Sequence, residues 1–461
     1  MKPRSDQRLS DHVALGVLTR TFGPQLVDAV LADTGRLQQR VRLLPARLMV
    51  YFVLALALFA DVDYAEVMRQ LVEGLSWRSG WKRSWTVPST AAISVARARL
   101  GAAPLVELFD RGCVPVAGEQ SAAAFWRGLR LVGMDGTTLD VPDTVENVAE
   151  FGRPGSGRGE GVGAFPQLRM VALAECGTHA CFAAAIGSYR TGETTLAAEL
   201  AGKLAPDMLV FADRNFLGHP LLSTFIAGGG QVCWRAKKNK VLPVLERYPD
   251  GSYRSEIVAS GDKRARAHVI TVRVIEYTVT DPGRPEAEER YRLVTTLLDH
   301  AAYPAEELAG LYAERWEFES LLDEMKTHQR GPRVVLRSKS PEMARQEVYG
   351  YLACHYAIRA LIASAADDAG LDPDRVSFTG ALRAARRSVR AGIGVAERAI
   401  TSACHTATAE ITGQLLTRRL RAAARVVKRK MSGYPVKRPA HRSWPQPTLT
   451  PGQAVQILVP P

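Results

Sequence analysis

From Val13 to Leu75 the apolar positions recur at helical spacing, and the stretch Leu48 to Ala60 is apolar all round. Those thirteen residues are too few to cross a bilayer, so the run predicts a buried helix and no membrane partner. After Trp77, Trp81 and Trp85, the segment VPSTAAISVARARLG predicts one more helix, with Ser89 or Thr90 as N-cap, Gly101 as stop and Arg97 and Arg99 projecting. It fits a DNA-reading helix and a packing helix with solvated arginines equally well. Residues 1–125 therefore read as an all-α N-terminal domain, with DNA binding as its expected role.

At Leu129 the period changes to that of strands. LRLVGMDGTTLDV, QLRMVALAECG and ACFAAAIGSY predict a meander of three strands, TGETTLAAELAGKL a helix, and DMLVFADRNF a buried strand ending at Asp213. Three antiparallel strands, a helix and a fourth strand, with acids on the first and fourth, form the layout of a ribonuclease-H-like catalytic core. The fold class is thus α/β, with the first part of the core at 126–227. Residues 228–298 alternate apolar with polar again and read as a β-rich insertion. The core resumes over 299–367, and 368–461 is a helical C-terminal region with a basic tail.

Charge sharpens this picture. Sixty Lys and Arg against 47 Asp and Glu give a net charge of +13 and a pI near 9.6, which favours a polyanionic partner, nucleic acid before membrane surface. After Glu410 there is no acid, while ten Lys and Arg fall between Arg418 and Arg442 with Tyr434 and Trp444 nearby, a pattern for contacting a DNA backbone. The loop GRPGSGRGEGVG leads into a strand and not a helix, so it fails as a dinucleotide cradle; Arg153 and Arg158 suit it to a phosphate backbone instead. Six scattered cysteines without a CxxC pair argue against disulfides and zinc, and Cys176, His179 and Cys181 read as core side chains. The segment MKPRSDQRLSDH lacks the apolar core of a secretory signal, so the expected location is the cytoplasm.

The chemistry centres on Leu311 to Lys326, LYAERWEFESLLDEMK. On an α-helix at about 100° per residue, Tyr312, Arg315, Glu319 and Lys326 fall within about 60° of one another, an acid among cations on one face. Leu311, Phe318, Leu321, Leu322 and Met325 form the adjoining apolar stripe. With Asp135 in MDGT and Asp213 in FADRNF, Glu319 makes three acids in positions suited to hold two divalent cations, Mg²⁺ or Mn²⁺, as phosphodiester cleavage requires. Arg315 and Lys326 suit phosphate binding, and the Tyr312 hydroxyl can donate to a phosphate oxygen. Asp323 lies about 40° from Glu319 by the same arithmetic and competes with it.

The spacing of Tyr312, Arg315, Glu319 and Lys326 resembles the Y-(2)-R-(3)-E-(6)-K signature of the IS4 group of DDE transposases of bacterial insertion sequences. MDGT and FADRNF look like that family's two aspartate motifs, and LPARLMVYFVLALALFADVDYAEVMRQL resembles the N-terminal domain of one of its branches. The resemblance implies Asp135, Asp213 and Glu319 as catalytic metal ligands for two Mg²⁺ (or Mn²⁺). It implies a homodimeric synaptic complex on the terminal inverted repeats, and cut-and-paste joining to target DNA through a hairpin end. A base flipped from that hairpin would be held by aromatics: WRAKKNK, with Trp234, Arg235, Lys237 and Lys238, looks like the corresponding strand, and Trp316 is a second stacking candidate. Trp234 fits a core position equally well. Two other readings stay open, an inactive protein that only binds the inverted repeats and a nuclease of the same fold that does not join. Cleavage and joining assays separate them.

Overall fold

The structure is a computed structural model and describes residues 12–37, 42–78, 86–118, 121, 123–155, 163–259, 268–280, 290–331, 335–417, 436–439 and 448–459. A 3₁₀ turn at Gly16–Arg20 leads into α1 (Pro24–Asp33), α2 (Ala46–Leu58), α3 (Tyr64–Arg78), α4 (Thr90–Leu100) and α5 (Ala103–Gly112). Next come β1 (Phe125–Trp126), β2 (Leu129–Asp140), α6 (Val145–Phe151), β3 (Gln167–Glu175), β4 (Cys181–Ser188), α7 (Glu193–Glu199), β5 (Met208–Ala212), α8 (His219–Ala227) and β6 (Gln231–Arg235). The β-rich part holds β7 (Glu246–Arg247), β8 (Tyr253–Val258), β9 (Val269–Val279) and β10 (Tyr291–Thr295). The remainder is α9 (Ala305–Leu311), α10 (Trp316–Asp323), α11 (Pro341–Ala369), α12 (Phe378–Arg390), α13 (Glu397–Thr412), α14 (Pro451–Ala454) and β11 (Val455–Ile457).

These elements form two compact units, Met1–Trp126 with Gly136–Leu196 and Glu317–Leu416, and Arg127–Asp135 with Ala197–Trp316 and Thr417–Pro461. The chain passes between them inside β2, after Asp135, and inside the signature stretch, after Trp316.

In the first unit, α2 is buried on every side, as an all-apolar helix must be. It packs on α11, which is capped by Ser340 Oγ accepting from Met343 N at 3.4 Å and stopped by left-handed Gly370. The same α11 covers α5, α12 and α13, so the N-terminal helices and those after 367 share one core. The head expected over residues 1–125 therefore does not have a core of its own. Arg97 departs from the expected projecting arginine: it is fully buried, donating to Gln346 Oε1 at 2.8 Å, to Ser338 Oγ at 3.1 Å and to Tyr64 Oη. Burying the guanidinium is tolerable because these partners satisfy it, and α4 is thereby a packing helix at this position. The unit also holds the β3–β4 hairpin, with β3 next to β2 in strand order.

In the second unit, β2 pairs parallel with β5, and β5 parallel with β6. Beyond β6 every pairing is antiparallel: β10 on β6, β9 on β10, β8 on β9 and β7 on β8, with β11 also on β9. The antiparallel β3–β4 pair next to β2 in strand order, with β5 and β6 parallel beyond it, is the order of a ribonuclease-H-like core, and the β-rich insertion continues its sheet. Because Leu209↔Gln231 through Ala212↔Trp234 are in parallel register, β6 is a strand of the core. The insertion expected from 228 thus starts after this strand. Among the described residues no helix is long and apolar enough to cross a membrane.

Candidate active site

In the second unit, the register Arg130↔Met208 to Met134↔Ala212 stops one step short of two acids. Asp135 follows Met134, and Asp213 follows Ala212. Both acids thus follow the last paired residues of adjacent parallel strands, Asp135 within β2, which runs on to Asp140, and Asp213 just past the end of β5, where open α/β folds bind ligands. Asp213 Oδ1 accepts from Asn215 N at 2.7 Å, and among the described residues this carboxylate is in no ion pair. Arg315 Nη1 lies 3.4 Å from Asp135 Oδ2, and its guanidinium stands 5.1 Å over the ring of Trp316, which is 41% exposed. Tyr312 is buried, and its hydroxyl donates to Ala212 O at 3.1 Å, bracing the end of β5 just before Asp213. Burial pushes this phenol well above the usual tyrosine range in spite of Arg315, so it remains a donor. Its one proton serves a backbone carbonyl, not the phosphate oxygen expected of it.

Trp234 also departs from expectation. It is fully buried against Phe225, ring centroids 5.2 Å apart, which excludes it from stacking on a base in this structure. An apolar run in a strand flanked by strands on both sides is buried on both faces, and that context was invisible in WRAKKNK alone. Arg235 sits over Tyr291 at 4.2 Å, and Lys237 and Lys238 are exposed just beyond β6, at the same carboxyl end as Asp213.

The signature stretch is not one continuous α-helix. It closes α9 and turns as a 3₁₀ segment over Tyr312–Arg315, then runs as α10 and widens to a π segment over Glu324–Gln329. A 3₁₀ turn eclipses residues three apart, so Tyr312 and Arg315 share a side more closely than α-helical arithmetic gave.

In the first unit, Glu319 is half-buried on α10, while Phe318, Leu321 and Met325 anchor the helix in the core as expected. Lys326, in the π segment, donates to Thr137 Oγ1; Thr137 lies two residues past Asp135, and so on the same face of β2. Asp323 is exposed and accepts from Thr327 Oγ1 at 2.7 Å.

Beneath this helix lies a network that sequence reasoning missed. Glu324 accepts from Arg359 Nε at 2.8 Å and bonds to His355 Nε2 at 3.0 Å. His179 Nε2 meets Glu317 Oε2 at 2.5 Å and Asp374 Oδ1 at 3.2 Å, and Arg359 Nη2 reaches its Nδ1 at 2.5 Å. Burial alone would raise the Glu324 carboxyl; Arg359, with His179 and His355, overrides it and holds it well below the usual range. Burial and Arg359 push His179 down, but Asp374 and Glu317 carry it above the ordinary histidine value. His179, Glu317 and Asp374 are close enough to grip a metal. However, the imidazole and the carboxylates already meet one another, Glu317 Oε2 and Asp374 Oδ1 both lying against Nε2. The signal available in the sequence was the pair Glu317 and Glu324, seven apart on the apolar side of the signature helix.

The six cysteines are buried and none is in a disulfide, and burial pushes Cys181 and Cys233 up to about 12. Arg153 pairs with Asp143. Arg158, the aromatics Trp81, Trp85, Tyr434 and Trp444, and the basic positions 418–430 and 442 lie outside the described residues.

Two families match the chain: the insertion element 4 transposase N-terminal domain over residues 12–110, and the transposase DDE domain over 126–357. The transposase InsG for insertion sequence element IS4 of Escherichia coli (strain K12) is 28% identical over 422 residues, spanning 89% of this chain and 91% of that one. The putative transposase InsZ of the same strain is 25% identical over 234 residues, 51% of this chain and 72% of its own length. Among solved structures, a piggyBac transposase synaptic complex with hairpin DNA aligns over 90% of this chain and 86% of that chain, with a TM-score of 0.42 and 10% identity.

Proposed function

The chain belongs to the IS4 family of DDE transposases, and from that premise we propose that it cuts DNA at the ends of its own insertion sequence and joins them to target DNA. The observation that supports this reading is the parallel register of β2 and β5, whose last pair, Met134↔Ala212, comes one residue before Asp135 and Asp213. In the proposed site Glu319 completes the set. All three offer hard carboxylate oxygens, and Asp213 is without an ion-pair partner among the described residues, a donor set that fits Mg²⁺ or Mn²⁺, two ions per site. Such ions, when bound, supply a Lewis acid at the scissile phosphate.

The chain's own residues do the rest. Arg315 turns from Asp135 to the phosphate, giving a planar fork for its oxygens, and Lys326 adds a point charge. Tyr312 holds the end of β5 so that Asp213 keeps its place. Arg235, Lys237 and Lys238, at the same end of the sheet, track the DNA backbone. Excision runs as cut-and-paste through a hairpin end, with Trp316, exposed and cation-backed, as the stacking surface for an extruded base. Two copies of the chain pair the two inverted-repeat ends, acting on chromosomal DNA in the cytoplasm.

The test is incubation of the protein with linear DNA carrying candidate ends and a target plasmid in Mg²⁺. Cleavage at the ends, transient hairpins and joined product are expected. Cleavage without joining would mean a nuclease, and binding without cleavage a regulatory protein.

A further inference from the structure

In the first unit, the turn that joins β3 to β4 is held from two sides. Glu175, at the end of β3, accepts from Val116 N at 2.8 Å and from Thr178 Oγ1 at 2.8 Å, and Ala180 N donates to Thr178 Oγ1 at 3.2 Å. His179 sits between these anchors with a φ of 57°, a left-handed conformation that glycine takes readily and residues with a Cβ take seldom. Glycine would make this turn at less cost. What histidine adds is a buried ring, and the ring lies against the signature stretch.

Nε2 meets Glu317 Oε2 at 2.5 Å, and Nδ1 stands 3.5 Å from Glu324 Oε1. These two carboxylates are seven residues apart, about two helical turns. Arg359 of α11 ties the two contacts together, its Nη2 reaching Nδ1 at 2.5 Å while Nε donates to Glu324 Oε2 at 2.8 Å. Asp374, in the 3₁₀ turn Pro373–Arg375, closes the ring of contacts with Oδ1 at 3.2 Å from Nε2. From Glu317 to Glu319 a helix advances by about 200°, so Glu319 leaves α10 on the side away from this network. The helix is gripped from behind, at both ends of the segment that carries Glu319.

We propose that His179 is a positioning residue for end cleavage: docked on Glu317 and, with Arg359, on Glu324, it fixes the rotation and height of α10 within its unit and with them the place of the Glu319 carboxylate. This rests on Glu319 being a cation ligand. A ligand that shifts by about 1 Å loses much of its effect on rate, whereas binding of DNA elsewhere on the chain is untouched.

The experiment compares the full chain as wild type, His179→Asn, His179→Gln and Glu319→Gln. Asparagine tolerates the left-handed turn, but its amide stops short of Glu317; the longer glutamine can reach it. Amide hydrogen exchange without metal or DNA follows residues 317–323 and, as a control for global opening, α2. Single-turnover end cleavage in Mg²⁺ and end-DNA affinity follow the reaction. In His179→Asn the 317–323 amides should exchange at least about tenfold faster with α2 unchanged, and cleavage should fall about 10- to 100-fold with DNA affinity within about twofold. His179→Gln should recover part of both losses. Wild-type exchange and cleavage in His179→Asn would overturn the proposal, as would a loss that His179→Gln does not lessen, which would mean a packing role only. Should α2 also exchange faster in His179→Asn, Glu317→Gln becomes the deciding variant. It keeps the volume and weakens the contact, so slowed cleavage with α2 as wild type supports the role of His179, and wild-type cleavage overturns it. Wild-type cleavage in Glu319→Gln would instead overturn the reading of Glu319, whatever the exchange of α10.

Discussion

Glu324 and Asp213 are both carboxylates placed at the edge of regular structure, and they meet opposite surroundings. Glu324 lies in a dry network where each oxygen faces Arg359, one of them also His355, and nothing is left to bind a ligand. Asp213 ends a strand, accepts only from Asn215, and faces no cation among the described residues. Acid content does not separate these places, and neither does proximity: among the described residues the three potential ligands that lie close enough to hold a metal are His179, Glu317 and Asp374, which pair with one another. Unmatched charge does separate them. A buried ion pair that satisfies itself serves the fold. An acid that the protein leaves short of cations, next to another acid, stores repulsion that a bound cation relieves.

The comparison breaks most sharply on Asp213. Asp213→Ala should lower Mg²⁺-dependent end cleavage by several kcal/mol of barrier, about a thousandfold or more, with the melting temperature nearly unchanged. Single-turnover cleavage of end DNA and a melting curve give both numbers. Cleavage at the wild-type rate would remove Asp213 from the site.

Glu324 should show the reverse. Glu324→Gln strands Arg359 in the core and should cost about 3–5 kcal/mol of stability near neutral pH. The sign with pH follows from the depressed carboxyl. Its contribution is complete above the unfolded value of about 4.3 and is lost as pH falls through the lower folded value. The melting difference between wild type and Glu324→Gln should therefore be full at pH 7 and shrink only under strong acid. A difference independent of pH down to 2 would mean that the pair contributes nothing specific.

The two tryptophans repeat the contrast on a smaller scale. Trp234→Ala, deep in the sheet, should cost about 3–5 kcal/mol of stability, while Trp316→Ala should melt as wild type and lose about 1–3 kcal/mol in hairpin binding or resolution. Hairpin-end affinity and thermal melting, measured side by side, would expose an exchange of these roles.

Much of this was legible in the chain itself. The all-apolar α2, the capped α4 and α11, the strands around β2, and the two aspartates, one within β2 and one just past β5, all follow from local pattern, because each needs only its own segment to be recognised. What escaped depended on distant partners. Arg97 reads as solvated until Gln346 and Ser338 surround it, and Trp234 reads as available until strands flank it on both sides. The break of the signature stretch into 3₁₀, α and π pieces was hidden for the same reason. Glu324, at the start of the π segment, takes Arg359 and His355 from α11, and no property of LYAERWEFESLLDEMK announces those partners.

The finest test concerns Asp323, which helical arithmetic could not separate from Glu319. Its side chain is 62% exposed, held by Thr327 and within 3.5 Å of His328, a local arrangement on the solvent side of the helix. Glu319 is half-buried one turn earlier. Asp323→Asn should therefore leave end cleavage within about twofold and stability within about 0.5 kcal/mol of wild type, whereas Glu319→Gln should cleave as poorly as Asp213→Ala. If the two variants exchanged phenotypes, Asp323 would be the third ligand. The place of Asp323 on the solvent side at the end of α10 would then have to change when DNA binds.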